Sequence, residues 1–329
     1  MKVLVTGGNG FLGQRLLPLL LKRGLHVRVL GRQERSATNL PVEYRRGDIQ
    51  NFPDVLGATR GVEAVFHLAS RAGIESHPQL YDAVNVQGTC HILEACRQNR
   101  VSYCIYTSSP CVVFNGKDIR NGDESIPYSS HPLCDYARTK IQAERLVLAA
   151  NSPSLRTLAL RPHLLFGRGD RQLIPRLLRR SQSGQLAQIG AGKNHVDMTH
   201  VDNAAQAHEL ALLALLRGHA GGKAYFIGQE HPLPLWETID EILRRLGRPP
   251  VTRRIPYSLA YASGYVLEKL SRLRRNHPEP AMTRFLALAL GKDHYFSHRA
   301  AREELGYSPK ISIEEAMKDY GAPEIPPSS

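Results

Sequence analysis

Tyr136 and Lys140 stand four residues apart in Asp135–Glu144, a run with strong helical patterning, so their side chains share one helix face. A tyrosine with its ordinary pKa near ~10 is a poor acid–base group at neutral pH. An ammonium beside it favours the phenolate and lowers that value. The pair suits a proton passed to or from an alcohol oxygen while a hydride moves to or from carbon. A further donor should polarise the same oxygen, and Ser109 or Ser108, at the end of the strand-like run Tyr103 to Ser108, is placed for it. The spacing of Tyr136 and Lys140 also arises by chance on exposed helices. Its force comes from following a glycine turn and Thr107-Ser108-Ser109 in that order.

The glycine turn opens the chain. Lys2 to Thr6 reads as a short buried strand, Gly7, Gly10 and Gly13 follow, and an apolar helix begins near Phe11 and Leu12. Gly8, Gly10 and Gly13 also fit the G-x-G-x-x-G register of a dinucleotide-binding turn. Such a turn needs glycine for the tight bend, for close approach of backbone N–H groups to a pyrophosphate, and for helix-on-sheet packing. The phosphate then sits at the positive end of the helix. Past the second strand, His26 to Leu30, the first charged residue is Arg32. An arginine fork matches a phosphate, so Arg32, with Arg35 assisting, favours the 2′-phosphate of NADP; Glu34 is the competitor that would favour NAD.

Strands at Val42 to Arg46, Ala64 to Ala69, Tyr103 to Ser108 and Thr157 to Leu160 alternate with helical segments, including one from about Gln79 to Gln98. That alternation predicts an α/β fold with a parallel, doubly wound Rossmann sheet, whose ligands gather at the carboxyl ends of the strands. Asn115 to Pro132 is long for a connection, and such loops often form lids or binding loops. The expected division is a nucleotide-binding domain over 1–165, with 196–222 returning to it. A smaller, mostly helical substrate region then spans 166–329, with a disordered tail from about 323.

Composition bounds the partners. Hydrophobic residues make up 42% and charged residues 22%, as in ordinary globular proteins. No run approaches the roughly 18 apolar residues of a membrane span. The sequence begins in a core strand without a secretory leader, and its five cysteines are odd in number with no C-x-x-C, which together imply reduced thiols in a cytoplasmic protein. No metal-ligand spacing occurs. The net charge of +13 is concentrated: 244–276 holds nine Lys/Arg against one acid, and 161–180 six Arg against one acid. Two patches, rather than a diffuse basic surface, argue against nucleic acid and for an anionic substrate group and an anionic surface.

The chain resembles the extended short-chain dehydrogenase/reductase family in Thr6-Gly7-Gly8-Asn9-Gly10-Phe11-Leu12-Gly13, Gly47-Asp48, His67-Leu68-Ala69, Asn85, Thr107-Ser108-Ser109, Tyr136-Ala137-Arg138-Thr139-Lys140 and Leu160-Arg161-Pro162. The resemblance covers nearly the whole chain. It implies Gly7, Gly10, Phe11, Leu12 and Gly13 at the pyrophosphate and Asp48 with Ile49 near the adenine. Leu68, Ala69 and Pro162 are further implied cofactor contacts. It also implies Tyr136 as acid–base, Lys140 on ribose and tyrosine, and Ser109 on the substrate oxygen with Ser108 as fallback. Within the family, Phe166-Gly167-Arg168-Gly169-Asp170, Gly222-Lys223-Ala224-Tyr225-Phe226-Ile227 and Met282-Thr283-Arg284-Phe285-Leu286 are most similar to the 3β-hydroxysteroid dehydrogenase branch, nearest to bacterial reductases of 2-alkyl-3-oxoalkanoates.

The expected activity interconverts a 3-oxo and a 3-hydroxy group on a large apolar, carboxylated small molecule, sterol-like or a 2-alkyl-3-oxoalkanoate. The 161–180 patch suits its carboxylate, with Arg168 and Arg171 as candidates. The alternatives are an NAD-retaining nucleotide-sugar epimerase or dehydratase, and a non-catalytic NADP sensor. In 257–275, Leu259, Val266, Leu270 and Leu273 share one helical face while Glu268, Lys269, Arg272 and Arg275 share another. That pattern suits peripheral contact with an anionic membrane or a pathway enzyme, or equally a helix packed on its own core. Relatives commonly form dimers, so a homodimer is a candidate assembly that no stretch specifies.

Overall fold

The computed structural model describes residues 1–73, 77–273 and 280–321. Seven parallel strands form the main sheet: β1 (Lys2–Thr6), β2 (His26–Gly31), β3 (Glu43–Arg46), β4 (Ala64–His67), β5 (Tyr103–Thr107), β6 (Arg156–Pro162) and β7 (Ala224–Ile227). Their order is β7-β6-β5-β4-β1-β2-β3. Chain direction across the sheet reverses between β1 and β4, and the crevice beyond their carboxyl ends is where such sheets bind ligands.

Nine helices matter here: α1 (Phe11–Lys22), α2 (Phe52–Thr59), α3 (Gly88–Gln98), α4 (Asp135–Ala149), α5 (Leu173–Gln182), α6 (Val201–Leu216), α7 (Leu235–Arg245), α8 (Tyr257–Leu273) and α9 (Arg284–Gly291). On one face of the sheet, Leu12, Leu16, Leu17 and Leu20 of α1 meet Ala204, Ala207, Ala211 and Leu212 of α6. The alanines let α6 lie close to its neighbours. On the other face, Val55, Ala58, Ile92, Leu93, Ala143 and Val147 join α2, α3 and α4 into a second core.

The helical pattern expected from Gln79 to Gln98 is interrupted: a π-type turn at Asp82–Gln87 precedes α3 and turns Asn85 into the interior. The long connection Asn115 to Pro132 is not a free lid. Its Ile119–Gly122 pairs with His294–Phe296 in a small sheet that includes His195–Val196 and Leu233–Pro234, and Arg120 bonds Asp293 at 2.6 Å. A distant strand supplies the partner, which local sequence does not announce. The carboxyl-terminal body has its own core around Phe166, Ile174, Val196, Trp236 and Ile242.

Arg161 departs from the expected basic patch. It is buried and bonds the fully buried Glu144 of α4 through Nε (3.1 Å) and Nη2 (2.5 Å), while Tyr128 donates to the same carboxylate at 2.8 Å. This pair clamps α4 onto β6 and is not available to a substrate carboxylate.

Helix α8 also departs from simple core packing. Its inner side carries Ala260, Gly264 and Ser271. A Cβ at Gly264 would approach the Thr283 carbonyl carbon to 2.6 Å, so only glycine permits this contact with the start of α9. Its apolar face points outward, with Leu259 60%, Val266 54%, Leu270 49% and Leu273 84% exposed. Each forgoes much of the roughly 1.5–3 kcal/mol that burial would supply. Arg275 and the tail from about 323 lie outside the described residues.

Glu144→Ala leaves the Arg161 charge buried and unpaired. It should cost about 3–5 kcal/mol in urea unfolding, whereas Glu144→Leu combined with Arg161→Met should recover most of that loss. A double variant no more stable than Glu144→Ala contradicts the clamp.

Candidate active site

Three strand ends and one helix assemble the site. After β1, Gly7 adopts φ +73°, outside the range of most side chains, and the Gly10 N–H bonds the Gly7 carbonyl at 2.9 Å. A Cβ on Gly7 would meet the Ala69 nitrogen at 2.9 Å, which brings the end of β4, Leu68 and Ala69, against the turn. A Cβ on Gly13 would come to 2.6 Å from the Gly8 Cα. Gly10 caps α1 without a side-chain bond, and no acidic residue lies in the first turn. The helix therefore keeps free N–H groups and its positive end toward the crevice. These features fit a pyrophosphate cradle.

Around the turn, Asn9 reaches Gln33 at 2.6 Å and accepts from the Ala37 N–H at 3.0 Å, shaping the loop after β2. Arg32 is exposed in that loop, while Glu34 lies 3.7 Å from Arg46. Asp48 caps its own loop by accepting from the Gln50 N–H, and Ile49 is buried, its carbonyl accepting from His91. Phe11 and Leu12 open α1, and Pro162 closes β6.

At the end of β5, Ser109 is extended (φ −163°) and half-buried. Its Oγ accepts from the Cys111 N–H at 3.3 Å, and it neighbours the Tyr136 phenol closely enough to pull its pKa down. Ser108 is buried, with no bond to its Oγ. Of the two serines, only Ser109 acts on the Tyr136 phenol.

Lys140 is almost fully buried and donates to the Thr107 carbonyl at 2.6 Å and to Tyr106 Oη at 3.1 Å. Its Nζ lies 4.6 Å from the Tyr106 ring centre and 6.0 Å from that of Tyr136. Burial lowers its pKa to about 8. Burial also raises the Tyr136 pKa, with Ser109 pulling it back only in part. The expected lowering of the tyrosine by the ammonium is not what this arrangement produces: the ammonium is spent on Tyr106 and Thr107, and desolvation dominates. Tyr136 thus holds its proton through the neutral range.

Two buried histidines tie these pieces together. Thr89 donates to the Asn85 carbonyl at 2.6 Å, so its oxygen accepts from His67 Nε2–H at 3.0 Å. His67 Nδ1 then accepts from the Thr6 hydroxyl at 2.8 Å, whose oxygen accepts the Ala69 N–H at 3.2 Å. Burial, with Lys140 nearby, lowers the His67 pKa to about 3 and keeps it neutral. The Asn85 side chain continues the chain by donating to Thr139 on α4 at 3.0 Å. On the opposite face, His208 Nδ1–H donates to the Ala204 carbonyl, so Nε2 accepts from the Thr107 hydroxyl at 2.7 Å. Sequence reasoning missed Tyr106, His208 and the role of His67. Only the family likeness of His67-Leu68-Ala69 and Asn85 marked any of them.

Arg168 and Arg171 are exposed on the loop after Phe166. The Arg168 backbone is held by Asp319, which accepts its N–H at 2.7 Å, and by Arg15, which donates to its carbonyl at 2.6 Å.

Residues 4–257 match the model of the 3-beta hydroxysteroid dehydrogenase/isomerase family. The chain is 43% identical to a 2-alkyl-3-oxoalkanoate reductase of Stenotrophomonas maltophilia, over 97% of this chain and 98% of that protein. It is 38% identical to a mouse sterol-4-alpha-carboxylate 3-dehydrogenase, decarboxylating, over 96% and 89%. Among solved structures, UDP-glucose 4-epimerase from Brucella ovis in complex with NAD matches with a TM-score of 0.74 and 25% identity, covering 98% of this chain and 97% of the other.

Because folding depresses the Lys140 pKa below its unfolded value, the unfolded chain binds more protons between about pH 8 and 10.5. The unfolding free energy of the wild type, minus that of Lys140→Met, should be level below this window and rise through it. Urea titrations across the range would contradict the assignment if the difference stayed level or fell.

Proposed function

The chain belongs to the 3-beta hydroxysteroid dehydrogenase/isomerase family, and on that premise we propose that it is an NADP-dependent reductase of a 3-oxo group on a large apolar substrate carrying a carboxylate, of the 2-alkyl-3-oxoalkanoate class. The family is NAD(P)-dependent and acts on hydroxy and oxo groups. The observation that carries the reading is the Tyr136–Lys140 pair on one helix face at the end of β5, the ammonium fixed on the Thr107 carbonyl at 2.6 Å and 6.0 Å from the Tyr136 ring centre.

Residues 1–165 form the cofactor domain in this reading, with 196–222 returning to it and, beyond the expected division, β7 (Ala224–Ile227) completing its sheet; the rest of the chain from 166 onward provides the substrate region. Gly7, Gly10, Phe11, Leu12 and Gly13 would hold the pyrophosphate. Asp48 and Ile49 would meet the adenine, Leu68, Ala69 and Pro162 would line the cofactor channel, and the Lys140 N–H not taken by Tyr106 and Thr107 would reach the nicotinamide ribose. Exposed Arg32, with no acidic partner among the described residues, supports NADP through its 2′-phosphate. When bound, the cofactor supplies the hydride that reaches C3. Ser109 donates a hydrogen bond to the substrate oxygen, and Tyr136 gives that oxygen its hydroxyl proton, leaving an alcohol and a phenolate for solvent to reprotonate. A tyrosine that holds its proton can act as the acid of the reductive step. Arg168 and Arg171 are the candidates for the substrate carboxylate, and 257–275 for peripheral contact with a membrane or a pathway enzyme.

The epimerase reading shares the fold, but the relatives at 38–43% identity over nearly the whole chain are a reductase and a dehydrogenase. Purified protein should oxidise NADPH with 2-alkyl-3-oxo acids, and Tyr136→Phe should slow turnover by about 10²- to 10⁴-fold. Arg32→Ala should raise KM for NADPH by about tenfold or more while leaving NADH use unchanged. No turnover across the acids, with intact NAD released on denaturation, would support the epimerase instead.

A further inference from the structure

Helix α8 presents an apolar ridge with a positive rim. Leu259, Val266, Leu270 and Leu273 recur at spacings of seven, four and three, so they lie on one side of the helix, and all four are exposed. Tyr265, beside them, is 48% exposed. The helix's one acid, Glu268, is turned inward, accepting from the Arg284 N–H at 2.6 Å and pairing with its guanidinium at 2.8 Å. Outward charge on and just before α8 is positive only: Arg253, Arg254 and Lys269 are exposed and, among the described residues, have no acidic partner. No helix among the described residues is long and apolar enough to cross a membrane.

The start of α8 lies near the catalytic helix α4. Tyr257, at the start of α8, and Phe285, on α9, share an apolar cluster with Leu133, Cys134 and Tyr136. Phe285 meets Phe114 edge-on, ring centres 6.3 Å apart.

We propose that this ridge docks on an anionic lipid bilayer, with the leucines and Val266 entering the acyl boundary and Arg253, Arg254 and Lys269 facing acidic headgroups. A convex ridge rimmed by cations suits the plane of such an interface. A second copy would set one positive rim against another, which repels. The inference rests on the apolar-substrate reading for its use: docking would bring the enzyme to a surface from which a lipid-like substrate can be drawn.

Flotation of the full chain with vesicles tests it. Protein should float with phosphatidylcholine vesicles containing phosphatidylglycerol and stay behind with phosphatidylcholine alone. High salt should lower the bound fraction by about tenfold or more. Leu270→Ser with Leu273→Ser, and separately Arg253→Glu with Arg254→Glu, should abolish flotation while melting temperature and turnover of a short, water-soluble 3-oxo acid stay unchanged. No flotation with acidic vesicles, flotation indifferent to Leu270 and Leu273, or a dimer in solution that the same leucine substitutions split overturns the proposal. Because flotation needs neither substrate nor cofactor, its failure is distinguishable from failure of the ketone-reduction reading.

Discussion

A buried ammonium organises this molecule. Lys140 has almost no access to water, so its charge must be met by fixed oxygens, and Tyr106 Oη and the Thr107 carbonyl are those oxygens. The requirement pins α4 to the carboxyl end of β5. One turn later Glu144 pins the same helix to β6 through Arg161. With α4 held at two points, Tyr136 has little choice of position, and the Ser109 backbone, extended beyond β5, brings the serine against it. Desolvation then does what a nearby charge does not: it keeps the phenol protonated.

The nucleotide cradle is joined to this catalytic helix by hydrogen bonds rather than by direct contact. Thr6, His67, Thr89, Asn85 and Thr139 form a directed chain from the end of β1 to α4. Each threonine hydroxyl in it both gives and receives, which leaves His67 one neutral tautomer. A chain so satisfied favours a single arrangement of the glycine turn relative to the tyrosine. The π-type turn at Asp82–Gln87 matters for this reason, since it delivers the Asn85 side chain into the interior.

Much of this was legible in the sequence because it is local. The strand–glycine–helix opening is contiguous, and Tyr136 and Lys140 meet through helical periodicity alone. What escaped depends on residues far apart in the chain. Tyr106 reads as one more apolar strand residue until Lys140 is laid against it. Arg161 reads as part of a basic patch until Glu144 takes it. Asn115 to Pro132 reads as a loop until His294–Phe296 offers a strand edge. For α8, spacing revealed a stripe but not which way it faced. Small residues at Ala260, Gly264 and Ser271 turned out to form the inner face, the reverse of the usual rule. Gly264 signals that reversal in retrospect, as a glycine inside a helix marks close approach of another backbone.

The central claim is that hydride moves from the cofactor to a ketone carbon and remains there. It is tested most directly by reducing a 2-alkyl-3-oxo acid with NADPH carrying deuterium at carbon 4 of the nicotinamide and analysing the product by mass spectrometry. This account predicts one deuterium at C3 of the 3-hydroxy acid and one equivalent of oxidised cofactor released per product. Deuterium retained on enzyme-bound cofactor, with no net product and with exchange into a nucleotide sugar instead, would contradict it.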